Sequence, residues 1–93
     1  MKVKIELLTG ETKTVDVPKK DLKDDLGNDL SIIFHYGLDI FQLSKIRDVD
    51  IGDVIFWKKG KYLVCNSGFE CLTDEQYKSY QKIKHLIIQG SIK

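Results

Sequence analysis

The sequence predicts a small α+β domain, and three patterns support that class. An opening stretch alternates apolar and polar residues, as the strands of a hairpin do. A middle stretch repeats leucine and isoleucine at spacings of four, four and three, which is the spacing of one helix face. A later stretch returns to strand-like runs separated by glycine-containing turns. A chain of 93 residues buries one core, so residues 1–93 are expected to form a single domain.

The opening hairpin is predicted over the first seventeen residues. Every second residue from Val3 to Leu7 is apolar, and the second strand repeats the pattern. A two-residue turn at Thr9-Gly10 would place polar residues opposite this apolar set. A three-residue loop, Leu8-Thr9-Gly10, whose glycine adopts the left-handed conformation, sets Val3 opposite Val15 instead. We therefore predict the three-residue loop.

A helical region is predicted over residues 19–36. Its apolar stripe comprises Leu22, Leu26, Leu30 and Ile33. Pro18 suits the start of a helix. Gly27 is a weak point: either one helix tolerates it at about 1 kcal/mol, or Asn28 caps a second short helix after a break. Gly37 is predicted to end the helix in both cases.

Strands are predicted again after the helix. A short one comprises Ile40, Phe41, Leu43 and Ile46. Two further runs, residues 54–57 and 61–65, flank Lys58-Lys59-Gly60, a second three-residue loop that ends in glycine. This register sets Phe56 opposite Tyr62. It makes both faces of the hairpin apolar, so both faces are expected to be covered.

The last third of the chain is predicted to turn once more and then form a helix. A two-residue turn at Ser67-Gly68 would point Cys65 and Cys71 to different faces. Residues 73–76, Thr-Asp-Glu-Gln, have the form of a capping box. One face of the helix that follows carries Tyr77, Tyr80, Ile83 and Ile87. The run Leu86-Ile87-Ile88 fits either the end of this helix or a closing strand.

Composition excludes several classes of protein. A chain with 42% apolar and 31% charged residues is typical of a globular domain, not of a disordered one. A net charge of +1 gives the chain as a whole no strong attraction to nucleic acid or to an anionic membrane. No apolar run has the length of a signal peptide or a membrane span. We therefore expect a cytoplasmic protein with two reduced cysteines.

The opening hairpin resembles that of ubiquitin-like proteins. The likeness lies in Met1, the Leu8-Thr9-Gly10 loop, Thr12, Thr14 and Val15-Asp16-Val17. The resemblance implies a β-grasp-like fold, a small antiparallel or mixed sheet packed by one or two helices. It implies that the family's apolar interaction patch corresponds to Leu8, Ile55 and Ile87. The final residues lack the paired glycines that conjugation requires, which argues against a conjugated modifier.

A small barrel of the SH3 type is the alternative fold. Gly52-Asp53 leads into an apolar strand, and a second apolar strand begins at Tyr62. In small barrels, turns containing glycine also separate short apolar strands. The sequence does not decide between the two folds.

Few residues offer catalytic or metal-binding chemistry. His35 is expected to pack or to cap a helix end. A pair of His85 with Cys65 or Cys71 is the one cysteine-enzyme hypothesis, and no local motif supports it. The cysteine spacing does not suit zinc. The aspartates from residue 48 to 53 are expected to make turns and caps, because they lack the pattern of a calcium loop. We expect no enzyme, no metal and no cofactor.

The function predicted first is a protein-binding module or small inhibitor that occupies a surface of a larger partner. Its expected anchors are Trp57 and Tyr62, with Leu8, Ile55 and Ile87 from the ubiquitin-like patch. The plainer interpretation of the doubly apolar hairpin is that the two helices cover its faces. Abundant Lys, Ile and Asp with scarce Ala and Pro indicate an AT-rich genome, which fits an inhibitor of host defence from a phage or mobile element.

The alternative function is nucleic-acid binding by the second hairpin. Lys58, Lys59 and Lys61 lie between Trp57 and Tyr62, and a combination of stacking rings and phosphate contacts binds single strands. The competing interpretation is a lysine-rich loop exposed to solvent, with both rings in the core.

Overall fold

The computed structural model describes residues 1–38 and 46–92, with side chains as far as Lys84. Within these residues the strands are β1 (Lys2–Glu6), β2 (Thr12–Asp16), β3 (Val54–Trp57), β4 (Gly60–Cys65) and β5 (Gly68–Leu72). The α-helices are α1 (Leu26–Tyr36) and α2 (Asp74–Ile92), and a single 3₁₀ turn spans Lys19–Asp21. The strands form one sheet in the order β2-β1-β3-β4-β5, and each neighbouring pair is antiparallel. The α+β class is therefore confirmed.

Two fold predictions lie beyond what these elements test. The strand predicted at Ile40, Phe41 and Leu43 falls outside the described residues, and Ile46 lies in a bend. The β-grasp topology stays a prediction. In the described sheet β2 and β5 are the two outer strands, and they are not paired with each other as the outer strands of a closed barrel would be.

The opening hairpin has the predicted register. Val3 lies opposite Val15. The loop is closed by a hydrogen bond of 2.8 Å from the Leu7 N–H to the Glu11 carbonyl, and Gly10 has a φ of 95°. This left-handed conformation is the one that the three-residue loop requires of its glycine. The alternating pattern was sufficient here because a slip by one residue would have moved every apolar side chain to the other face.

The first helix is shorter than predicted. An extended stretch follows the 3₁₀ turn, and α1 begins after Asp25, whose carboxylate accepts a hydrogen bond from the Asn28 N–H at 3.3 Å. Asp24 has a φ of 57°, which is incompatible with a continuous helix. The predicted start of the helix is therefore wrong. The helical conformation is interrupted before Leu26, at Asp24, and not at Gly27 or Asn28.

The hairpin of β3 and β4 differs by one residue from its predicted register. A two-residue turn, Lys58-Lys59, joins the strands, with a φ of 54° at its first residue. Ile55 therefore lies opposite Tyr62, and the predicted pairing of Phe56 with Tyr62 is wrong. Gly60 belongs to β4, where a Cβ would come within 2.7 Å of the Tyr62 ring. Both strands are apolar on both faces, so the sequence pattern favoured neither register.

The third hairpin and the last helix are close to prediction. The turn is Asn66-Ser67, one residue earlier than predicted, because Cys65 pairs with Gly68. The capping box is confirmed: the Gln76 side chain accepts a hydrogen bond from the Thr73 N–H at 2.8 Å, and the reciprocal bond measures 3.1 Å. The backbone is helical through Leu86-Ile87-Ile88, so this run is not a closing strand. No helix in the described part of the chain combines the length and apolarity that crossing a bilayer requires.

Each face of the sheet is covered by one α-helix. The buried residues toward α1 include Val3, Ile5, Val15, Ile55, Trp57 and Val64. On this side Phe34 of α1 contacts Phe69 of β5 edge to face, with ring centroids 6.2 Å apart. On the opposite side Tyr77 of α2 contacts Phe56 of β3 in the same geometry at 5.8 Å. The plainer interpretation of the doubly apolar hairpin therefore describes the structure.

The end of α1 is set by a close contact. Gly37 caps the helix, as predicted, but its φ is −79°, which any residue adopts. A Cβ there would lie 2.4 Å from the Cγ2 atom of buried Val49. The Val49 N–H also donates a hydrogen bond to the Gly37 carbonyl at 3.3 Å. Glycine is therefore required by packing against the chain that returns toward β3.

A candidate protein-binding surface

Two of the predicted anchors lie in the hydrophobic core. Ile55 is fully buried and Trp57 is 5% exposed. Because β3 lies between two strands and beneath α1, its side chains on that face have no access to a partner. The prediction that Ile55 and Trp57 anchor a partner is therefore corrected. Tyr62 is half-buried and packs over Gly60, and the side chain of Ile87 lies outside the described residues.

Among the predicted anchors, Leu8 belongs to a cluster of side chains at the protein surface. It belongs to the β1–β2 loop and is partly exposed. Its side chain lies beside Gly52, where a Cβ would come within 3.3 Å of both Leu8 and the Tyr80 hydroxyl. Gly52 also has a φ of 96°, so that position suits glycine in two ways. The loop before β3 and helix α2 thus meet at Leu8.

A buried carboxylate organises this end of the molecule. Asp53 is fully buried and accepts hydrogen bonds of 2.7 Å from the N–H groups of Leu8 and Asp50. Both of its oxygens also accept hydrogen bonds from the Arg47 guanidinium, which makes an ion pair with it. Asp53 thus joins the β1–β2 loop to the loop that precedes β3. The prediction that these aspartates make turns and caps is confirmed for Asp50 and Asp53.

Ile51 projects from the loop that Asp53 orders. Its side chain is 50% exposed, although its N–H is fixed by a 2.7 Å hydrogen bond to the Asp50 carboxylate. The residue that follows donates its N–H to the carbonyl of Val64 at 2.9 Å. A half-exposed apolar side chain therefore projects from a backbone that these two hydrogen bonds hold in place.

A shallow groove lies on each side of Ile51. One, of about 340 Å³, lies toward α1 and is lined by Phe34, Asp50 and Phe69 among others. The other, of about 330 Å³, lies toward α2 and is lined by Leu8, Leu63 and Tyr80 among others. Both grooves share the wall formed by Ile51, Val64, Cys65 and Asn66. We name the region comprising Leu8, Ile51, Leu63, Cys65, Phe69 and Tyr80 the Ile51 surface.

Helix α2 is attached to the sheet largely by polar contacts. Glu6 of β1 accepts hydrogen bonds from Tyr77 at 2.7 Å, from Lys84 at 2.9 Å and from Gln81. Burial by itself would raise the pKa of the Glu6 carboxyl, but these three donors and the nearby ammonium outweigh it and hold that pKa below its usual value. Burial, and next the Glu6 carboxylate, raise the pKa of Tyr77 to about 12. Tyr80 adds a hydrogen bond to the Gly52 carbonyl, so α2 forms one wall of the Ile51 surface.

The lysine-rich turn has the arrangement of a solvated loop. Lys58 makes an ion pair with Asp24, and Lys61 makes one with Asp74, each at 2.7 Å. Lys59 is exposed. The ring that would stack on a base, Trp57, is buried. This arrangement offers a nucleic acid neither an exposed indole nor a cluster of uncompensated cations.

The described residues give no support to a cysteine nucleophile. Both thiols are free, and Cys65 is part-buried while Cys71 is exposed on the other face. Burial, and then the charge of Glu70, raise the pKa of the Cys65 thiol, whereas a nucleophilic cysteine needs a lowered pKa. His85, the suggested partner, has its side chain outside the described residues. His35 lies in the last turn of α1 and is exposed. Within the residues that the structure describes, no group of three or more metal-ligating side chains occurs.

Comparison with known proteins returned no family model, no curated protein and no solved structure that matches this chain. Sequence reasoning missed Ile51 because one isoleucine in a polar stretch resembles an ordinary loop residue. The available signal was its neighbourhood, Asp50-Ile51-Gly52-Asp53, in which turn-forming residues surround a single apolar one.

Proposed function

We propose that this protein is a non-enzymatic protein-binding module that contacts a larger partner through the Ile51 surface. The observation that carries the proposal is Ile51 itself, half exposed between two grooves on a loop that the buried Asp53 carboxylate and its ion pair with Arg47 order. Clustered exposed apolar groups bordered by polar ones mark contact sites. A loop that is already ordered loses little conformational entropy when a partner binds.

The charges around the Ile51 surface define the partner further. Asp50 lies in the wall of the first groove, and the Glu70 carboxylate lies 3.9 Å from the Cys65 sulfur at its border. Arg47, four residues before Ile51 in the chain, makes an ion pair with Asp53. The rim is thus acidic, and complementary charge favours a partner that presents an apolar side chain beside basic ones.

The resemblance of the opening hairpin to ubiquitin-like proteins agrees with this class of function. Of the three positions that the family's apolar patch implies, Leu8 lies on the Ile51 surface. In its narrower form, the proposal is a small inhibitor from a phage or mobile element that occupies a surface of a host defence protein. Composition alone supports that origin.

The test uses two matched variants. Ile51→Asp places a charge on the Ile51 surface. Leu26→Asp replaces a leucine that is 49% exposed at the start of α1, the end of the helix away from Phe34 and the first groove. Tagged wild type and variants isolate partners from lysate of the source cell. The dissociation constant of each purified candidate is then measured by calorimetry. Circular dichroism and urea midpoints verify that all three proteins are folded.

Ile51→Asp should weaken partner binding about tenfold or more, because it removes a buried apolar contact and adds an acidic group to an acidic rim. Leu26→Asp should leave affinity within about twofold. Equal affinity of all three proteins would contradict the proposal. Binding of single-stranded DNA or RNA that falls steeply with salt, and is lost on combining Lys58→Glu with Lys59→Glu, would support the nucleic-acid alternative instead.

A further inference from the structure

The outer edge of β5 has one charged residue, Glu70, and no lysine or proline to oppose an added strand. Within the described residues β5 is one of the two outer strands of the sheet. Outer strands are normally protected by charged side chains, lysine above all, by proline or by a bulge. The sequence of β5, Gly-Phe-Glu-Cys-Leu, contains neither lysine nor proline, and its pairing with β4 is continuous. The other outer strand, β2, carries Lys13.

The register shows which backbone groups β5 offers. Cys65 and Gly68 pair across a two-residue turn, so their backbone groups bond each other. Bonded and non-bonded pairs alternate along an antiparallel ladder, so every second residue of β5 from Gly68 to Leu72 bonds β4. Phe69 and Cys71 therefore direct their N–H and C=O groups outward. In the described part of the chain these groups have no hydrogen-bond partner.

We infer that the partner adds an extended strand to this edge, making four backbone hydrogen bonds with Phe69 and Cys71. The inference rests on the proposed function, because Phe69 also lines the first groove of the Ile51 surface. Strand addition is an established mode of peptide recognition in which backbone bonds provide affinity and alternate side chains provide specificity.

The side chains of β5 specify the added strand. Phe69 faces α1, where it contacts Phe34. Glu70 is exposed on the other face, beside Cys65. Directly opposite residues share a face of a sheet. The added strand therefore alternates apolar residues, opposite Phe69 and Cys71, with a basic residue opposite Glu70.

A second copy of this chain is a poorer occupant. Two antiparallel β5 strands that use all four outward residues must pair Phe69 of one with Cys71 of the other. That register sets Glu70 directly opposite Glu70, and like charges in this position are destabilising. A register shifted toward the C-terminus of β5 would need the Thr73 N–H as a donor to the second strand. That N–H already donates a hydrogen bond of 2.8 Å to the Gln76 side chain. A basic heterologous strand avoids both problems.

The experiment uses a capped octapeptide of alternating valine and lysine as the probe, and one of alternating valine and glutamate as its control. Amide hydrogen exchange of the full chain is followed by NMR. At a Val/Lys peptide concentration ten times its dissociation constant, exchange at Phe69 and Cys71 should slow about tenfold. Cys71→Pro removes an outward N–H without removing a bond to β4, so it should abolish this protection. Should Cys71→Pro fail to fold, Glu70→Lys should reverse the preference between the two peptides.

Four results would overturn the inference. They are protection of β2 amides instead of β5 amides, no protection at millimolar peptide, equal affinity for both peptides, and protection that rises with protein concentration in the absence of peptide, which would identify a second copy as the occupant. If the peptide does not protect the β5 amides while Ile51→Asp still lowers affinity for the natural partner, the proposed function stands and only strand addition is wrong. If the peptide binds β5 while Ile51→Asp has no effect on the natural partner, the proposed function is wrong.

Discussion

Replacing the Asp53 carboxylate with its isosteric amide should destabilise the protein almost as much as removing the side chain. Each oxygen of Asp53 accepts one backbone N–H, from Leu8 or Asp50, and one N–H of the Arg47 guanidinium. In Asp53→Asn, either orientation of the amide directs its NH₂ group at two donors. One backbone N–H loses its acceptor and the guanidinium loses its charged partner.

The expected loss follows from burial. A buried group that loses its hydrogen-bond partner costs about 1–3 kcal/mol, and breaking a fully buried ion pair costs about 3–5 kcal/mol. Because the Arg47 side chain is 34% exposed, water compensates part of the second term. We therefore expect Asp53→Asn to cost about 2–4 kcal/mol. A chain of 93 residues has a total stability of about 5–14 kcal/mol, so the change is large.

The assay is urea unfolding followed by fluorescence of Trp57, the single tryptophan of the chain, which is buried in the core. Asp16→Asn is the matched control, because Asp16 binds the N-terminal ammonium while its side chain remains 73% exposed. This control should change stability by less than about 1 kcal/mol. A loss below about 0.5 kcal/mol for Asp53→Asn would refute the claim that this carboxylate joins the two loops.

For four further substitutions the structure determines whether stability rises or falls. Gly37→Ala should cost about 1–3 kcal/mol because its Cβ would overlap Val49, whereas Gly27→Ala, which meets no atom closer than 3.8 Å, should stabilise α1 by about 0.5–1 kcal/mol. Thr73→Ala removes one half of the capping box and should cost about 1 kcal/mol in urea unfolding. Glu6 has a lowered pKa in the folded state, so its contribution to stability is present above the ordinary value of 4.5 and is lost as pH falls through the folded value. Glu6→Gln should therefore lower the free energy of unfolding at pH 7 and flatten its decline below pH 4.5.

Each of these predictions has a control and an opposing result. Ser79 is exposed on α2, so Ser79→Ala should not destabilise the protein. If Ser79→Ala costs as much stability as Thr73→Ala, the loss in Thr73→Ala does not come from the capping box. Glu70→Gln alters an exposed carboxylate and should keep the acid dependence of the wild type. An unchanged acid slope in Glu6→Gln would show that the polar attachment of α2 contributes little. Equal effects of the two glycine substitutions would show that Val49 yields without cost.

The match between prediction and structure depends on how strongly burial discriminated between the two faces of a segment. The first hairpin has one apolar and one charged face, so only one register buried Val3 with Val15. The hairpin of β3 and β4 is apolar on both faces, so two registers looked equal and the wrong one was preferred. The capping box at Thr73 depends on groups three residues apart, and it was read correctly. The start of α1 depends on the backbone of Asp24, which no periodicity reports.

The candidate site shows the same division. Leu8 was identified through a resemblance at the sequence level, and it reaches the Ile51 surface. Ile55 and Trp57 were chosen for their size and apolarity, and the core contains both. Ile51 and Asp53 were passed over as members of an ordinary aspartate-rich loop. Their roles depend on the approach of Leu8 and Arg47, residues that the sequence does not place beside them.

The amino-acid sequence alone determined the α+β class, the first hairpin and the cap of the last helix, because local alternation, glycine conformation and short-range hydrogen bonds specify those features. Tertiary structure decided which apolar side chains remain exposed. The helices α1 and α2 cover the apolar side chains of the central strands, whereas Ile51, in the loop that the Asp53 network orders, stays half exposed. That outcome depends on contacts between segments distant in the chain, and no local pattern encodes them.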